Sequence, residues 1–305
     1  MPGKFDSLNV CWWDEKIEKY VAYVRDFHDI PDNGDLNAGI RDARRTESED
    51  FIHWTTPELI TFNDSADYPI YTNQIQRYYR NPDIYIGFPM RYEERPDWSD
   101  SFEQLCGKKG RLEMMKLQKR YGLSITDSIF MCSRDGLYWD KYDEAFFTPG
   151  PEFEPNWIYG NCSNAYFMTE TPADDGVNTE LSLFVAHNYQ HSHPDTYQDV
   201  LVRYTIRRDG FACYRARYTG GKVLTKPFVF EGEELYLNFA TSAKGSIYIT
   251  MRDADGNEAK TCELFGDTDE RRVRFEDADI RAFAGKEVTL EFDMKDARLY
   301  SFVFK

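Results

Sequence analysis

Short runs rich in β-branched and aromatic residues recur along the chain, with polar residues partly alternating between them and turn-forming residues at their ends. Tyr20 to Phe27, Ile84 to Tyr92 and Leu181 to Tyr189 have this pattern, which suits strands half-buried in a pleated surface. Ahead of them lie Phe5 to Trp13, Tyr68 to Tyr79 and Trp157 to Met168; behind them lie Ala38 to Thr46, Thr126 to Cys132 and Asp199 to Ile206. Each of the last three leads into a heptad: Ser48-Glu-Asp50-Phe-Ile-His-Trp54, Ser133-Arg-Asp135-Gly-Leu-Tyr-Trp139 and, more weakly, Arg207-Arg-Asp209-Gly-Phe-Ala-Cys213. The Asp is expected to fold its carboxylate back onto nearby amides, the Gly of two copies to take positive φ, and the following aromatic to pack between layers. With the segment after each heptad, the chain reads as three units of four strands. Such units are β-propeller blades, a repetitive β-sandwich being the plainer reading.

Glu93 to Ile125 interrupts the second unit and reads as partly helical. Phe102, Leu105, Leu112, Met115, Leu117 and Tyr121 fall at roughly helical intervals, a stripe expected to form a packing face. The blade-like region is residues 1–218, ending at the break Thr219-Gly220-Gly221. Residues 219–305 carry short strands at sandwich-like spacing, so the fold class is all-β, a partial propeller with a C-terminal β-sandwich. Asp253-Ala-Asp255-Gly256-Asn257 is similar to the start of a calcium loop but lacks the final Glu and the flanking helices, so a hairpin turn is expected. Three blades do not close a ring, because the smallest usual one has about four. Their open faces are expected to be covered by the insertion, by blades from another chain, or by a second copy in a homo-oligomer.

Charge narrows the function. At 305 residues and formal charge −16, with no local Lys/Arg cluster, the chain repels phosphate backbones, and no nucleic-acid partner is expected. No apolar run approaches the roughly 18 residues that span a bilayer, so no membrane partner is expected. Met1-Pro-Gly-Lys-Phe lacks the apolar core of a secretory signal, which points to the cytoplasm. The six cysteines form no CxxC pair and are expected to be reduced and buried.

Phe5-Asp6-Ser7-Leu8-Asn9, Tyr71-Thr72-Asn73, Ile86-Gly87-Phe88-Pro89-Met90-Arg91-Tyr92 and Leu224-Thr225-Lys226-Pro227 together resemble bacterial proteins related to glycoside hydrolase families 32 and 43. The resemblance covers almost the whole chain. It implies a five-bladed β-propeller plus β-sandwich, here without the N-terminal blades, and a carbohydrate substrate. The family 32 nucleophile motif Asn-Asp-Pro-Asn-Gly is absent, as is a Glu-Cys acid motif. Arg41-Asp42-Ala43 is similar to the family's Arg-Asp-Pro, yet lies on the strand leading into the first Asp turn.

Glycosidic hydrolysis needs two carboxylates across the sugar, one protonated for the leaving oxygen and one acting as nucleophile or base. Propeller ligands bind at the axis, so residues opening each unit are the candidates: Asp6 and Asn9, then Asn73, then Asn156 to Asn161. Asp6 is the first catalytic candidate. Glu170 is the second, since the aromatic run before it could hold it in a dry pocket; a solvated loop position is the alternative. Arg41 and Arg91 could clamp a carboxylate-bearing sugar such as a uronate, or neutralise neighbouring acids. Trp12, Trp13, Trp157 and Tyr159 could stack on sugar rings or pack between blades. His187, His191 and His193 could line the funnel rim, hold a metal or face solvent; no metal or other cofactor is expected. Two function classes follow: a glycoside hydrolase, or a non-catalytic carbohydrate-binding or assembly protein on the same scaffold.

Overall fold

The computed structural model describes residues 1, 3–63, 69–153, 156–187, 200–276 and 278–305. Within them the chain is all-β apart from the insertion and one turn of 3-10 helix. It forms two compact units, Met1–Thr169 with Ser182–Thr205, and Glu170–Leu181 with Ile206–Lys305.

The first unit opens with an antiparallel meander in chain order, β1 (Val10–Asp14), β2 (Lys19–His28), β3 (Ile40–Ser48) and β4 (Glu58–Leu59). The second sheet gathers β5 (Thr61–Phe62), β6 (Ile70–Thr72), β7 (Gln76–Tyr78), β8 (Asn81–Gly87) and β9 (Met90–Glu94). The insertion follows as α1 (Asp100–Gln104), α2 (Lys108–Leu117) and α3 (Lys119–Leu123), then β10 (Ser124–Ser133) and β11 (Tyr138–Phe147). β8 and β9 lie end to end along β10, Met131 facing Gly87 and Ser128 facing Met90. The break falls at Pro89, which has no N–H to give a ladder. Instead its carbonyl accepts from Ile129 N at 3.1 Å and Ser128 Oγ at 3.0 Å. β6 and β7 form a matching broken strand alongside, so the sheet is a four-row blade with β5 added in parallel at its edge. The third sheet is β12 (Ser163–Pro172), β13 (Thr179–His187) and β14 (Val200–Arg207). Four strands were expected there. The segment after the third heptad, β15 (Tyr214–Ala216), pairs elsewhere, with the long strand β21 described below.

The first two heptads turn the chain between the third and fourth rows of successive sheets. Asp50 Oδ1 accepts from Ile52 N at 2.9 Å, His53 N at 2.7 Å and Ser48 Oγ at 3.2 Å. Asp135 Oδ1 accepts from Leu137 N at 2.8 Å, Tyr138 N at 2.8 Å and Ser133 Oγ at 3.1 Å. These amides hold both carboxyls below the usual carboxylate range, with Asp135's burial opposing. The aromatics differ. Trp139 is fully buried against Tyr23 of the first sheet, at 6.0 Å between rings, whereas Trp54 is half-buried and packs on exposed Phe51 instead of lying between blades. Asp209 of the third heptad meets Ser301 Oγ at 2.7 Å, a contact no local pattern encodes. The core joining the first two sheets comprises Val10, Val21, Tyr23 and Ala43 from one, and Ile75, Tyr85, Met131 and Trp139 from the other.

The insertion packs largely as its apolar spacing predicts, with Phe102 buried and Leu105, Met115 and Tyr121 half-buried, but Leu112 and Leu117 are exposed, while Arg111 and Met114 of α2 are buried. Arg111 is the reason. Its Nη2 donates to Trp157 O at 2.6 Å and its Nη1 to Gly122 O at 3.3 Å, and it stacks on Phe102 at 5.1 Å. Burial pushes its pKa down to about 10. No helix among the described residues is long and apolar enough to cross a membrane.

The second unit contains β15, β16 (Gly221–Leu224), β17 (Phe228–Val229), β18 (Leu235–Asp253), β19 (Glu258–Lys260), β20 (Asp267–Val273) and β21 (Glu287–Phe304). Hydrogen bonding makes these one seven-stranded sheet, with β18 and β21 at its centre. Leu235, Leu237 and Phe239 before the register shift after Thr241, and Ile247, Ile249 and Met251 after it, all enter a single core. The sheet therefore curls around one apolar interior. Asp253 is a hairpin residue, its carboxylate taken up by Asn257 N at 2.9 Å and Asn257 Nδ2 at 2.7 Å. The cysteines are free, as expected, but Cys11, Cys106, Cys213 and Cys262 are exposed and only Cys162 is buried.

Candidate functional site: an arginine–tyrosine cluster

On β2 and β3, antiparallel pairing sets Arg25 opposite Ala43 and Phe27 opposite Arg41. Arg25 and Arg41 are thus diagonal neighbours on one face, close enough for long side chains to meet. Both are buried, at 4% and 6% exposure. Arg41 lies over Tyr92 at 4.6 Å and Phe27 at 5.6 Å; Arg25 lies over Phe27 at 4.8 Å and Tyr71 at 5.5 Å. Tyr71 and Tyr92 stack at 5.7 Å, and Tyr159 meets both edge-on at 5.6 and 5.5 Å. Tyr121 stacks on Tyr159 at 5.5 Å, and the neighbouring Arg120 brings a third guanidinium from the insertion, near enough to oppose the charge on Arg41.

Polar groups are unevenly matched in this cluster. Arg25 pairs with the carboxylate of Asp6, and Tyr71 shares a close hydrogen bond with Tyr159. Tyr92 Oη accepts from Ser124 Oγ at 2.7 Å. Arg41 has no hydrogen-bond or ion-pair partner among the described residues, and the buried Nε of Arg25, Nε of Arg41, and Nε and Nη1 of Arg120 are all unsatisfied. Burial lowers the pKa of Arg41 and raises the phenol of Tyr159, the latter pushed further by its bond to Tyr71. The exposed Glu94 lies two residues from Tyr92 on β9, and its charge reaches that ring.

Several predicted residues meet here and others do not. Asp6, Arg41 and Tyr159 belong to the cluster. Asn9 and Asn73 anchor its backbone. Asn9 Oδ1 accepts from Arg25 N at 2.9 Å, its Nδ2 donates to Ser7 O at 2.8 Å, and Asn73 Nδ2 donates to Leu8 O at 3.3 Å. Ser7 Oγ donates to Tyr71 O at 3.0 Å, so the 5–9 and 71–73 segments lie side by side. Arg91 is not a free clamp: both arms grip Asp127, Nε at 2.6 Å from Oδ1, and Nη1 donates to Asp143 O at 2.9 Å. Glu170 is exposed on the part of β12 that belongs to the second unit, and Phe167 before it is exposed too, so the expected dry surroundings are not there. His187 is buried and meets Tyr204 Oη through Nε2 at 3.1 Å, burial lowering its pKa. His191 and His193 lie outside the described residues, among which no group of three potential metal ligands occurs. Trp12 stacks on Tyr23 at 5.9 Å and Trp13 meets Tyr20 edge-on at 4.9 Å, both packing roles. Trp157 donates to Gly150 O at 2.7 Å and lines a separate cleft of about 700 Å³ with Trp98, Arg95, Asp97 and Glu152.

Neither a comparison with protein families nor one with curated protein sequences finds a match. Among solved structures the chain is similar to an N-acetylgalactosamine deacetylase from F. plautii, at 10% identity and TM-score 0.38, covering 67% of this chain and 50% of that one. It is also similar to a glycoside hydrolase family 32 β-fructofuranosidase from Bombyx mori, at 6% identity and TM-score 0.34, covering 95% and 64%. A family 43 arabinoxylan arabinofuranohydrolase from Bacillus subtilis gives 7% identity and TM-score 0.26, covering 93% and 52%. The chain spans half to two-thirds of the length of these structures.

Proposed function

We propose that the first unit binds a carbohydrate at the cluster formed by Asp6, Arg25, Arg41, Arg120 and the four tyrosines. The observation that carries this reading is the cluster's composition: stacked aromatic rings beside unsatisfied guanidinium donors and one accessible carboxylate. Aromatic faces accept the apolar faces of sugar rings, and guanidinium N–H groups donate to their oxygens. Asp6, at 71% side-chain exposure, is tied to Arg25, and no second carboxylate pairs with the cluster's arginines among the described residues. Binding without hydrolysis is therefore the favoured reading, because cleavage needs two carboxylates across one bond. The hydrolytic alternative keeps Asp6 and takes Glu94, beside Tyr92, as partner.

Calorimetric titration of the full chain with a panel of oligosaccharides, alongside assays for released reducing sugar, separates the readings. Binding without turnover is the expected result. Turnover abolished by Asp6→Asn and by Glu94→Gln would establish hydrolysis. A panel that neither binds nor turns over would overturn the carbohydrate assignment.

A further inference from the structure

We propose that the cluster selects glycans bearing an oxyanion, a carboxylate or a sulfate ester, which Arg41 and Arg120 hold with Arg25 completing the cradle. The inference rests on the carbohydrate reading and adds the ligand's charge. Its basis is a mismatch within the protein's own electrostatics.

The chain carries 53 acidic against 37 basic residues, so acids are not scarce. Elsewhere, buried and half-buried arginines have acceptors. Arg77 Nε meets Asp14 at 2.6 Å, Arg208 Nε meets Asp269 at 2.7 Å, Arg91 grips Asp127, and Arg111 donates to two carbonyls. Of the three guanidinium groups in the cluster, only Arg25 has a carboxylate partner among the described residues, Asp6. Arg41 is the extreme case, more than nine-tenths buried and making no hydrogen bond or ion pair. Its contact with Tyr92 uses the ring face and satisfies none of its N–H donors. Buried cations persist when something pairs with them. A carboxylate or a sulfate ester offers the two acceptor oxygens a guanidinium fork fits, and the aromatic rings suit the sugar that carries it. Asp6 on Arg25 shows one such pairing already made, from an exposed loop a ligand could displace.

The test is titration of the full chain with five probes: oligosaccharides of glucuronic acid and of galacturonic acid, the matching neutral gluco- and galacto-oligosaccharides, and a sulfated galacto-oligosaccharide lacking carboxylates. Acidic probes are expected to bind at least about tenfold tighter than neutral ones, weakening as salt is raised. Arg41→Met and Arg120→Met should each cost about ten- to a hundredfold toward acidic probes, the range for a charge-assisted hydrogen bond, and little toward neutral ones. Arg120 is only half-buried, so its variant keeps the test valid if Arg41→Met fails to fold. Binding confined to the uronates identifies a carboxylate as the anion; binding confined to the sulfated probe identifies a sulfate. Equal affinity for acidic and neutral probes would overturn the oxyanion cradle and leave carbohydrate binding standing. No binding by any probe would overturn both.

Discussion

One face of the first sheet holds two kinds of arginine. Toward the Asp turns, Tyr23 and Arg45 lie opposite each other; Tyr23 Oη donates to Gly136 O at 2.7 Å, and Arg45 pairs with Glu47. In the same core Arg77 stacks on Tyr85 at 4.1 Å, and both bind the buried carboxylate of Asp14, Arg77 at 2.6 Å and Tyr85 at 2.9 Å. At the other end of the face Arg41 stacks on Tyr92 at 4.6 Å with no carboxylate. The two stacked pairs differ in their acceptors: Arg77 has the carboxylate and also Pro82 O at 2.5 Å, whereas Arg41 has neither among the described residues. Where the acid is present the guanidinium ties two sheets together; where it is missing, no described residue pairs with the charge.

The comparison can be tested from both ends. The largest effect is expected at the satisfied end, where Trp139→Ala empties the fully buried contact between the first two sheets and should cost about 3–5 kcal/mol in chemical denaturation. A loss under about 1 kcal/mol would mean that this core does not hold the sheets together. Next, Asp14→Ala takes the carboxylate from both Arg77 and Tyr85, leaving Arg77 the carbonyl of Pro82 as acceptor. It should cost about 3 kcal/mol, and an unchanged midpoint would erase the distinction between the two stacked pairs. Smaller again is Asp135→Ala, which frees two turn amides at a cost of about 1 kcal/mol. Because the folded state holds the Asp135 carboxyl below its unfolded value, its contribution is present above the usual carboxylate range and lost as pH falls through the depressed value. The parent should therefore lose its advantage over Asp135→Ala in acid, and a difference that grows there would contradict the turn geometry.

The features legible in the sequence were those set by neighbouring residues. The Asp turns at 50 and 135 are local, and both formed with matching hydrogen bonds. The third copy shares the letters, but Asp209 is claimed by Ser301, 92 positions away, and the strand after it joins another sheet. Hydrophobic spacing placed Phe102, Leu105, Met115 and Tyr121 of the insertion but not Leu112 and Leu117, since an arginine, which counts as polar in such patterns, sits at the centre of the packed face. The candidate site was partly readable: Asp6, Arg41 and Tyr159 stood out as polar or aromatic residues near strand openings. Arg25 was passed over inside the apolar run from Tyr20 to Phe27, and Arg120 inside a helix. Their importance depends on which partners they lack, and that is settled by contacts between segments distant in sequence.

The central claim is that Arg41 is a buried cation kept for a ligand at a cost to the free protein. The most direct measurement is the melting temperature of Arg41→Met without ligand, beside the parent under the same conditions. Replacing an unpaired buried charge by an apolar chain of similar length should raise it by about 2 °C or more, since each kcal/mol gained is worth about 2–4 °C at this size. A fall of several degrees would show that Arg41 already stabilises the fold, and would contradict the account.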